Sequence, residues 1–424
     1  MPPIARPRGT EDLLPARLAE MGYVANTGLA VANSYGYQQM ATPIFESTEL
    51  FARGVGDTTD VVRKEMYTFT DRGGRSLTLR PENTAPVLRA FQESELRQLP
   101  APVRLSYSGP MFRYDRPGRG RLRQFHQFGV EVIGDQDPEV DAEVIAVAWD
   151  WLSRLGVQGV TLELNSLGDS QCRPQYRQAL LQHFAPHLAT LPQLDQERLR
   201  RNPLRILDSR ELDSAELLAS APASEDYLCD DCRAALARVR SALDAYAIPY
   251  RMNPRLVRGL DYYVRTTFEV WHQQLQGAQN ALFGGGRYDG LSELLGYPPA
   301  PGVGFAAGLE RVAMMAPGLP QAAPVQVAVV STRPEDLAPA LAVARRLRQE
   351  GFRVLTELGP KSLRSKMRFA ERSGAEAVCI LGEEEEQQGV ASLRQLSSGE
   401  QLRLPQEELG TQLRLWGVEA GARW

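Results

Sequence analysis

The sequence is poor in lysine, cysteine and histidine, and it contains no long apolar run. Only Lys64, Lys361 and Lys366 are lysines, so 48 − 3 = 45 of the basic residues are arginine. Any single arginine is therefore weak evidence for a function, and only clusters of arginine carry weight. The four cysteines among 424 residues exclude the disulfide framework of a small secreted protein.

The absence of long apolar segments also bounds the class of protein. No run is long enough to span a bilayer, and residues 1–15 lack the apolar core of a signal peptide. We therefore expect a cytoplasmic protein with no membrane association. The net charge of −4 argues against a generally basic nucleic-acid-binding surface, so RNA contacts must come from local patches. The chain length predicts two or three domains, each with its own core.

The most informative segment is Gly109–Gly134, which predicts two β-strands, Phe112–Asp115 and Phe125–Ile133, joined by a long basic loop. Side chains alternate between the faces of a strand, so the second strand has one polar face and one face that predicts core. The polar face holds Gln127, Gly129 and Glu131, and the core face holds His126, Phe128, Val130 and Val132.

Arginines surround this polar face. Arg113 lies on the partner strand and can project toward Gln127 and Glu131, and the segment Arg104–Arg123 holds six arginines against Asp115 alone. A guanidinium, an amide and a carboxylate suit a ligand with an anionic group at one end and a cationic or donor group at the other. A merely exposed basic loop is the alternative interpretation of the pattern.

Several motifs resemble those of a known family. Gly109–Gly134 is similar over its whole length to motif 2 of the class II aminoacyl-tRNA synthetases in its histidyl form. The same resemblance is carried by RGTEDLLP, by LVRGLDYYVRTTFE and by GGGRYDGL, which begin at Arg8, Leu256 and Gly284. Gly36, Tyr37 and Pro43 match the spacing of motif 1, and Gly302–Val312 fits motif 3. The sequence is thereby identified as a member of the histidyl-tRNA synthetase family, most weakly over Cys172–Tyr246.

The resemblance implies a fold and a domain organisation. It implies an α+β class II catalytic core with an antiparallel sheet over residues 1–320, with a helical insertion at residues 172–246. It further implies a C-terminal α/β anticodon-binding domain over residues 325–424, and a homodimer formed through motif 1. In this last domain the pattern predicts strands and helices in alternation, and hence a parallel sheet. The strands are Val325–Val330, Val354–Leu355 and Ala377–Leu381, and the helices are Glu335–Glu350 and Ser362–Ser373.

The resemblance also implies an activity. Histidine would react with ATP to give histidyl-adenylate and pyrophosphate, with Mg²⁺ on the β and γ phosphates, and would then pass to the 3′ end of tRNA(His). The rival interpretation is a non-catalytic histidine-binding paralogue such as the regulatory subunit of ATP phosphoribosyltransferase. Such paralogues lack the C-terminal domain and lose catalytic signatures, whereas both are present here.

The site residues implied by the resemblance come from all of these segments. Arg113 and Arg258 are the expected catalytic residues, with Arg258 on a strand and in contact with the α-phosphate. Arg311 is expected near a helix N-terminus at the γ-phosphate, and Arg116, Arg119 and Arg121 at the acceptor end of the tRNA. Glu131 and Tyr263 would address the imidazole. The full set for histidine is Glu82, Thr84, Gln127, Glu131, Tyr262, Tyr263 and Tyr288, and that for ATP is Arg113, Arg121, Arg258 and Arg311.

Simpler structural roles are open for several of these residues. Glu82 and Thr84 stand before a predicted helix, where a carboxylate and a hydroxyl can cap it. The paired tyrosines can be stacked core, and three consecutive glycines from Gly284 can form a bulge. Asn83 stands where relatives often have glycine, and asparagine tolerates left-handed backbone angles.

Two further patterns are open. Cys229 and Cys232 have the spacing of metal ligands, but the sequence shows no second pair, and Pro186 disturbs the helix that would align His183 with His187. The pattern therefore favours no zinc site there. Arg345–Arg372 holds nine basic residues against three glutamates. A solvated helix face usually explains such a run, but its position resembles the surface on which this family binds the anticodon.

Overall fold

The computed structural model describes residues 3–56, 59, 61–118, 120–209, 215–275, 280–320, 325–357 and 359–421. It divides into a larger unit, residues 1–321, and a smaller unit, residues 322–424. Among the described residues, no helix combines the length and the apolar composition that crossing a bilayer requires.

The larger unit contains ten α-helices and eleven strands among its described residues. Its helices are α1 (Pro15–Ser34), α2 (Thr48–Val55), α3 (Thr84–Glu93), α4 (Pro138–Arg154), α5 (Arg173–Phe184), α6 (Gln193–Arg201), α7 (Ala215–Ala219), α8 (Asp230–Ala245), α9 (Leu291–Leu294) and α10 (Leu309–Met315). Its strands are β1 (Gln38–Gln39), β2 (Phe45–Ser47), β3 (Tyr67–Thr70), β4 (Ser76–Leu79), β5 (Val103–Phe112), β6 (Gln124–Ile133), β7 (Val160–Ser166), β8 (Tyr250–Met252), β9 (Val264–His272), β10 (Ala281–Arg287) and β11 (Gly302–Gly308).

Eight of these strands form one sheet, in the order β1-β5-β6-β11-β10-β9-β7-β8. The six central strands are antiparallel, and the outer pairs β1-β5 and β7-β8 are parallel. One face packs on α1 and α4. Phe128 meets Trp151 there at 4.8 Å between ring centroids and Phe305 at 5.8 Å. The Trp151 indole N–H donates to the Val24 carbonyl at 3.0 Å, which satisfies a buried polar group.

The structure of the segment Gly109–Gly134 differs from the prediction in its first strand. Strand β5 ends at Phe112, so the predicted strand Phe112–Asp115 is wrong and Arg113 follows the strand. The Tyr114 N–H donates to the Glu65 carbonyl instead of the ladder, which turns the chain away. His126 is not a core residue either. It is half-buried, and its backbone N–H and Nδ1 both contact the Glu310 carboxylate.

The loop before β9 also differs from expectation. Residues 253–263 contain no strand, so the prediction of a strand bearing Arg258 is wrong. Asn83 is the N-cap residue of α3 with φ −123°, and it does not use a left-handed conformation. Its Oδ1 accepts from the Thr42 hydroxyl at 2.7 Å and from the Arg80 guanidinium at 3.2 Å. A buried amide acceptor, and not a backbone requirement, explains asparagine there.

The predicted helical segment, residues 172–246, contains α5 to α8. Cys172 is the N-cap residue of α5 and Cys229 is the N-cap residue of α8. The two ends of the segment are therefore both helix starts, and both carry a cysteine.

The smaller unit contains four α-helices and a five-stranded sheet in the described residues, in the order β13-β12-β14-β15-β16. Three strands are parallel, as predicted, but the last two are antiparallel and were not predicted. Lys366, counted in the basic run, is buried and donates to the Ser331 carbonyl at 2.7 Å. The elements are β12 (Val327–Ser331), α11 (Leu337–Gln349), β13 (Val354–Glu357), α12 (Leu363–Arg372), β14 (Ala377–Leu381), α13 (Glu383–Gln387), β15 (Val390–Gln395), β16 (Gln401–Pro405) and α14 (Leu409–Leu415).

Candidate active site

A cavity of about 620 Å³ opens on the polar face of the large sheet. Segments far apart in sequence border it, which is the arrangement expected of a pre-formed ligand site. Of the residues predicted from sequence, the cavity is bordered by Glu82, Thr84, Arg113, Arg121, Gln127, Arg258, Tyr262, Tyr263 and Arg311. Glu131 and Tyr288 lie behind the wall, and Arg119 lies outside the described residues.

Glycines on β10 make room for two of these side chains. A Cβ at Gly284 would lie 2.6 Å from Arg258 Nη1 and 2.5 Å from the Phe268 carbonyl oxygen. A Cβ at Gly286 would lie 2.9 Å from the Tyr263 ring and 2.5 Å from the Thr266 carbonyl oxygen. Both contacts are shorter than packed atoms allow, so only glycine lets these side chains cross the strand.

Glycines on β11 do the same for the second layer. A Cβ at Gly302 would lie 2.3 Å from the Tyr288 ring, and one at Gly304 would lie 1.8 Å from Glu131 Oε2. The glycine-rich strand therefore holds volume open for a tyrosine and a carboxylate. Its glycines do not form a dinucleotide-binding turn.

Three polar atoms of residues that border the cavity are buried and lack a hydrogen-bond partner among the described residues. They are Oε1 of Gln127, Oδ1 of Asn280 and Nε of Arg258. An unpaired buried acceptor or donor costs about 1–3 kcal/mol, and native structures seldom retain one without a reason. Two acceptors and one cationic donor at the same cavity indicate a ligand with donor groups and an anionic group.

Arg258 is held by a carboxylate that the sequence analysis did not single out. Glu269 on β9 forms an ion pair with the Arg258 guanidinium and accepts from the Trp271 indole N–H at 2.7 Å. Burial lowers the pKa of Arg258, but Glu269 raises it more, so the pKa stays above its ordinary value. The guanidinium is thus a fixed positive charge. The signal for Glu269 was a lone acidic residue between the apolar Phe268 and Val270 of β9.

Glu131 is fully buried beneath the cavity wall. Its carboxylate accepts from the Thr84 hydroxyl at 2.7 Å, from the Tyr288 hydroxyl at 2.5 Å and from the Tyr107 hydroxyl at 3.3 Å. Burial raises the pKa of Glu131 to about 8. Burial therefore favours the protonated carboxyl at neutral pH. Thr84, which borders the cavity, links Glu131 to it.

Glu82 has the capping role that was left open and also borders the cavity. Its oxygens accept from the backbone N–H of Thr84 at 2.7 Å and of Ala85 at 3.1 Å, at the first turn of α3. Burial raises the pKa of Glu82. Thr84 does not cap the helix, because its hydroxyl donates to Glu131.

The remaining arginines approach from two sides. Arg113 donates through Nε to the Pro81 carbonyl at 2.8 Å, and its guanidinium lies 5.4 Å from the Phe125 ring centroid. Arg121 donates to Asp115 at 3.0 Å. Arg311, the third residue of α10, donates to the Ala281 carbonyl. All three residues border the cavity together with Arg258, so four arginines contribute positive charge to its wall.

The tyrosines form one aromatic group. The Tyr262 ring lies 4.6 Å from that of Tyr263 and 5.8 Å from that of Tyr288, between centroids. Tyr262 and Tyr263 reach the cavity, and Tyr288 packs beneath them. The stacked-core interpretation and the pocket interpretation therefore both describe this group. Tyr107, which packs over Gly129 and reaches Glu131, was missed because it lies in a plain alternating strand.

Comparison with known proteins places this geometry in one family. A family model described as histidyl-tRNA synthetase matches residues 9–312, and one described as anticodon binding domain matches residues 325–415. The chain is 48% identical over 408 residues to a histidine–tRNA ligase of Desulforamulus reducens, which covers 95% of this chain and 97% of that protein.

Two further comparisons agree. A histidine–tRNA ligase of Pelotomaculum thermopropionicum is 48% identical over 400 residues, covering 93% of this chain and 94% of that protein. The crystal structure of the apo histidyl-tRNA synthetase of S. aureus matches with a TM-score of 0.80 at 35% identity. That match covers 97% of this chain and 100% of the other.

Proposed function

The chain belongs to the histidyl-tRNA synthetase family, and from that premise we propose how its cavity joins histidine to ATP. The chain is an aminoacyl-tRNA ligase. It activates L-histidine with ATP to histidyl-adenylate and pyrophosphate, and then transfers histidine to tRNA(His). The predicted fold class is confirmed by the same family matches and by the S. aureus structure.

The histidine end of the proposed complex is the end where Gln127, Thr84 and Tyr263 meet. The unpaired Oε1 of Gln127 accepts from the α-amino group, beside Glu82 and Thr84. Tyr263 addresses the imidazole, and Glu131 responds to it through the Thr84 hydroxyl. A competing amino acid that lacks the imidazole nitrogens leaves these buried groups unpaired, which costs roughly 10⁴-fold in specificity.

The ATP end is the arginine-rich remainder of the cavity. Adenylation is an in-line attack by the histidine carboxylate on the α-phosphorus, so the protein must hold two anions against each other. We assign Arg258 and Arg113 to the α-phosphate and the carboxylate, and Arg311 and Arg121 to the outer phosphates. Fixed guanidinium groups stabilise the charge that develops on the phosphoryl oxygens, because they need no reorganisation during the reaction.

We also propose that Mg²⁺ binds in the cavity as the counter-ion of the triphosphate. Mg²⁺ binds through one or two carboxylates together with phosphate oxygens. The carboxylates of Glu269 and Glu310 border the cavity beside the arginines and fit that need. When bound, the ion would neutralise charge on the departing pyrophosphate.

The observation that carries this proposal is that Gln127 Oε1 and Arg258 Nε, two of the three unpaired buried atoms at the cavity, belong to residues that border the same cavity. Histidine-dependent exchange of pyrophosphate into ATP tests it. Arg258→Ala should reduce the exchange rate about a thousand-fold while histidine binding changes little, because the guanidinium acts on the transition state. Arg53→Ala removes a surface arginine that is paired with Glu49 and should leave exchange unchanged. An equal loss of exchange and of histidine binding would remove the role assigned to Arg258.

The same assay separates the rival function. A regulatory paralogue would bind histidine but show no histidine-dependent exchange. The relatives at 48% identity are ligases, and the cavity retains all four predicted arginines, so we expect exchange.

We place the tRNA surface of the smaller unit on α12. Arg364, Arg368 and Arg372 are exposed and recur every four residues, so they form one stripe along the helix. Replacing all three by glutamate should raise the KM for tRNA about ten-fold, with a weaker salt dependence, because phosphate contacts are lost. Pyrophosphate exchange should not change. Arg403→Glu, on β16, is the control, and an unchanged KM in the triple variant would exclude this surface.

A homodimer is proposed from exposed apolar side chains on the motif 1 side of the fold. Phe45 on β2 is 52% exposed and Phe69 on β3 is 43% exposed, and their rings meet at 6.4 Å. We infer that this exposed apolar pair is part of a dimer interface, because larger exposed apolar patches mark such surfaces. Phe45→Glu combined with Phe69→Glu should convert a dimer to a monomer in analytical ultracentrifugation. Leu415→Glu, also exposed, should not, and a monomeric parent protein would contradict the proposal. The cytoplasmic location stays a prediction.

A further inference from the structure

Four potential metal ligands meet in the larger unit, away from the cavity. They are Asp169, Cys172, Cys229 and Cys232, whose ligand atoms all lie within 4.8 Å of one another. In the sequence only the Cys229–Cys232 pair is evident, and the want of a second pair disfavoured zinc there without deciding the question. The fold supplies that pair as Asp169 and Cys172, which have the same spacing of two intervening residues.

The distances fit a tetrahedral site. With zinc–sulfur bonds of about 2.3 Å, the sulfurs of a tetrahedron lie about 3.8 Å apart. Cys172 Sγ and Cys232 Sγ are 3.8 Å apart, and Asp169 Oδ1 lies 3.7 Å from Cys172 Sγ and 3.9 Å from Cys229 Sγ. The sulfur separation is nearly twice the length of a disulfide bond, about 2.0 Å.

The backbone is shaped around these ligands. Gly168 has φ +68°, and a Cβ there would lie 2.4 Å from Cys172 Sγ, so the position requires glycine on two grounds. The Asp169 N–H donates to Cys172 Sγ at 3.3 Å, as backbone amides do toward thiolate ligands. Cys172 and Cys232 are buried.

Helix N-termini favour negative charge at two of the ligands. Cys172 and Cys229 are the N-cap residues of α5 and α8, whose N-terminal ends carry partial positive charge. Asp169 presents Oδ1 to the sulfurs, and its Oδ2 accepts from the Arg265 guanidinium at 3.3 Å. Such an outer partner orients a ligating carboxylate and is a regular feature of metal sites.

We propose that Asp169, Cys172, Cys229 and Cys232 bind one structural zinc ion. Four protein ligands leave no open position, so the site is structural and not catalytic. Binding releases the thiol protons to solvent as each thiolate forms its bond to the metal.

The ion would join the two ends of the helical segment to the strand that leads into the cavity. Cys172 begins the segment, and Cys229 and Cys232 begin its last helix. Arg265 lies two residues after Tyr263 in sequence, and Arg173, next to Cys172, donates to the Tyr263 carbonyl at 3.1 Å. The site would therefore position Tyr263 from a distance, without touching substrate.

Metal analysis of the full-length protein tests the proposal. Purified protein dialysed against buffer should retain one zinc per chain, and Cys229→Ala with Cys232→Ala should retain none. Cys379→Ala removes a buried cysteine of the smaller unit and should keep the zinc. Zinc retained in the double variant, or absent from the parent protein even after zinc is added back, would overturn the assignment.

A second measurement uses only the unmutated chain, in case the variants fail to fold. After chelation, Co²⁺ should restore a thiolate-to-cobalt charge-transfer band and the visible bands of a tetrahedral site, and zinc should then displace them. Bound zinc should also protect three of the four thiols from a thiol reagent. A bond between Cys172 and Cys232 in a non-reducing peptide map of freshly purified protein would contradict the proposal, because it would identify the cluster as a disulfide.

Discussion

The two faces of the large sheet are made by neighbouring residues and obey opposite packing rules. On β6 the core face presents Phe128 and Val130, which are buried against α1 and α4, while the other face presents Gln127, Gly129 and Glu131. The core face is filled by large apolar side chains from the strands themselves. The site face instead uses glycine on the strands, and its volume is filled by side chains that enter from elsewhere.

Because of this difference, residues on the core face mainly stabilise the fold, whereas residues on the site face mainly form the cavity. A side chain on the core face contributes mainly burial, whereas Arg258 and Tyr263 reach the site face only because Gly284 and Gly286 carry no Cβ. Substitutions on the two faces should therefore fail in different ways, and three of them make the comparison measurable.

The largest expected loss of stability comes from a substitution on the core face. Phe128→Ala should lower the free energy of unfolding by about 3–5 kcal/mol, because it opens a cavity beside Trp151 and Phe305. The KM for histidine in pyrophosphate exchange should stay unchanged at a temperature where the variant is folded. Urea denaturation measures the free energy of unfolding. A raised KM for histidine would show that a substitution on the core face also disturbs the site face.

A smaller loss of stability is expected when a glycine on the site face is replaced by alanine. Gly304→Ala places a Cβ 1.8 Å from Glu131 Oε2 and 2.5 Å from the Val130 carbonyl oxygen, and should cost about 3 kcal/mol through overpacking. Gly308→Ala on the same strand meets no atom within 4 Å and should cost far less. Urea denaturation of both variants measures the contrast. Equal costs would mean that glycine is not needed for close approach at Gly304.

The smallest expected effect is on the pH dependence of folding stability, through Glu131. Burial raises the pKa of Glu131 from 4.5 to about 8. Between these values the folded state keeps a proton that the unfolded state has lost, so stability falls as pH rises through this window. Glu131→Gln removes this dependence. Its stability relative to the parent protein should improve by about 2 kcal/mol between about pH 5 and pH 7. Thermal unfolding at both pH values checks the sign, and a variant that loses stability relative to the parent protein from pH 5 to pH 7 would contradict it.

Local rules predicted much of this sheet from sequence. The alternation in Phe125–Ile133 assigned Gln127 and Glu131 to one face, and α3 begins at Thr84, where a helix start was predicted. The same rules placed Arg113 and Arg258 on strands, which was wrong. After Arg113 the chain leaves the ladder, because the Tyr114 N–H donates to the Glu65 carbonyl, and such a tertiary hydrogen bond leaves no mark on periodicity.

Other features depend on contacts between distant segments. Cys172 meets Cys232 across 60 residues, and Glu269 pairs with Arg258 from the next strand. Asn83 follows a helix-start pattern, but a hydrogen bond from Thr42 determines its role. Strands β15 and β16 were missed because the parallel pattern before them gave no reason to expect an antiparallel edge.

One cavity is proposed to hold histidine and ATP together, through groups that include Gln127 Oε1 and Arg258 Nε, which are unpaired in the free protein. A crystal structure with a non-hydrolysable histidyl-adenylate analogue is the decisive experiment. We expect the α-amino nitrogen within about 3.2 Å of Gln127 Oε1, and the oxygen that replaces an α-phosphate oxygen within about 3.2 Å of the Arg258 guanidinium. An analogue bound elsewhere, or bound here with Gln127 Oε1 and Arg258 Nε still unpaired, would contradict it.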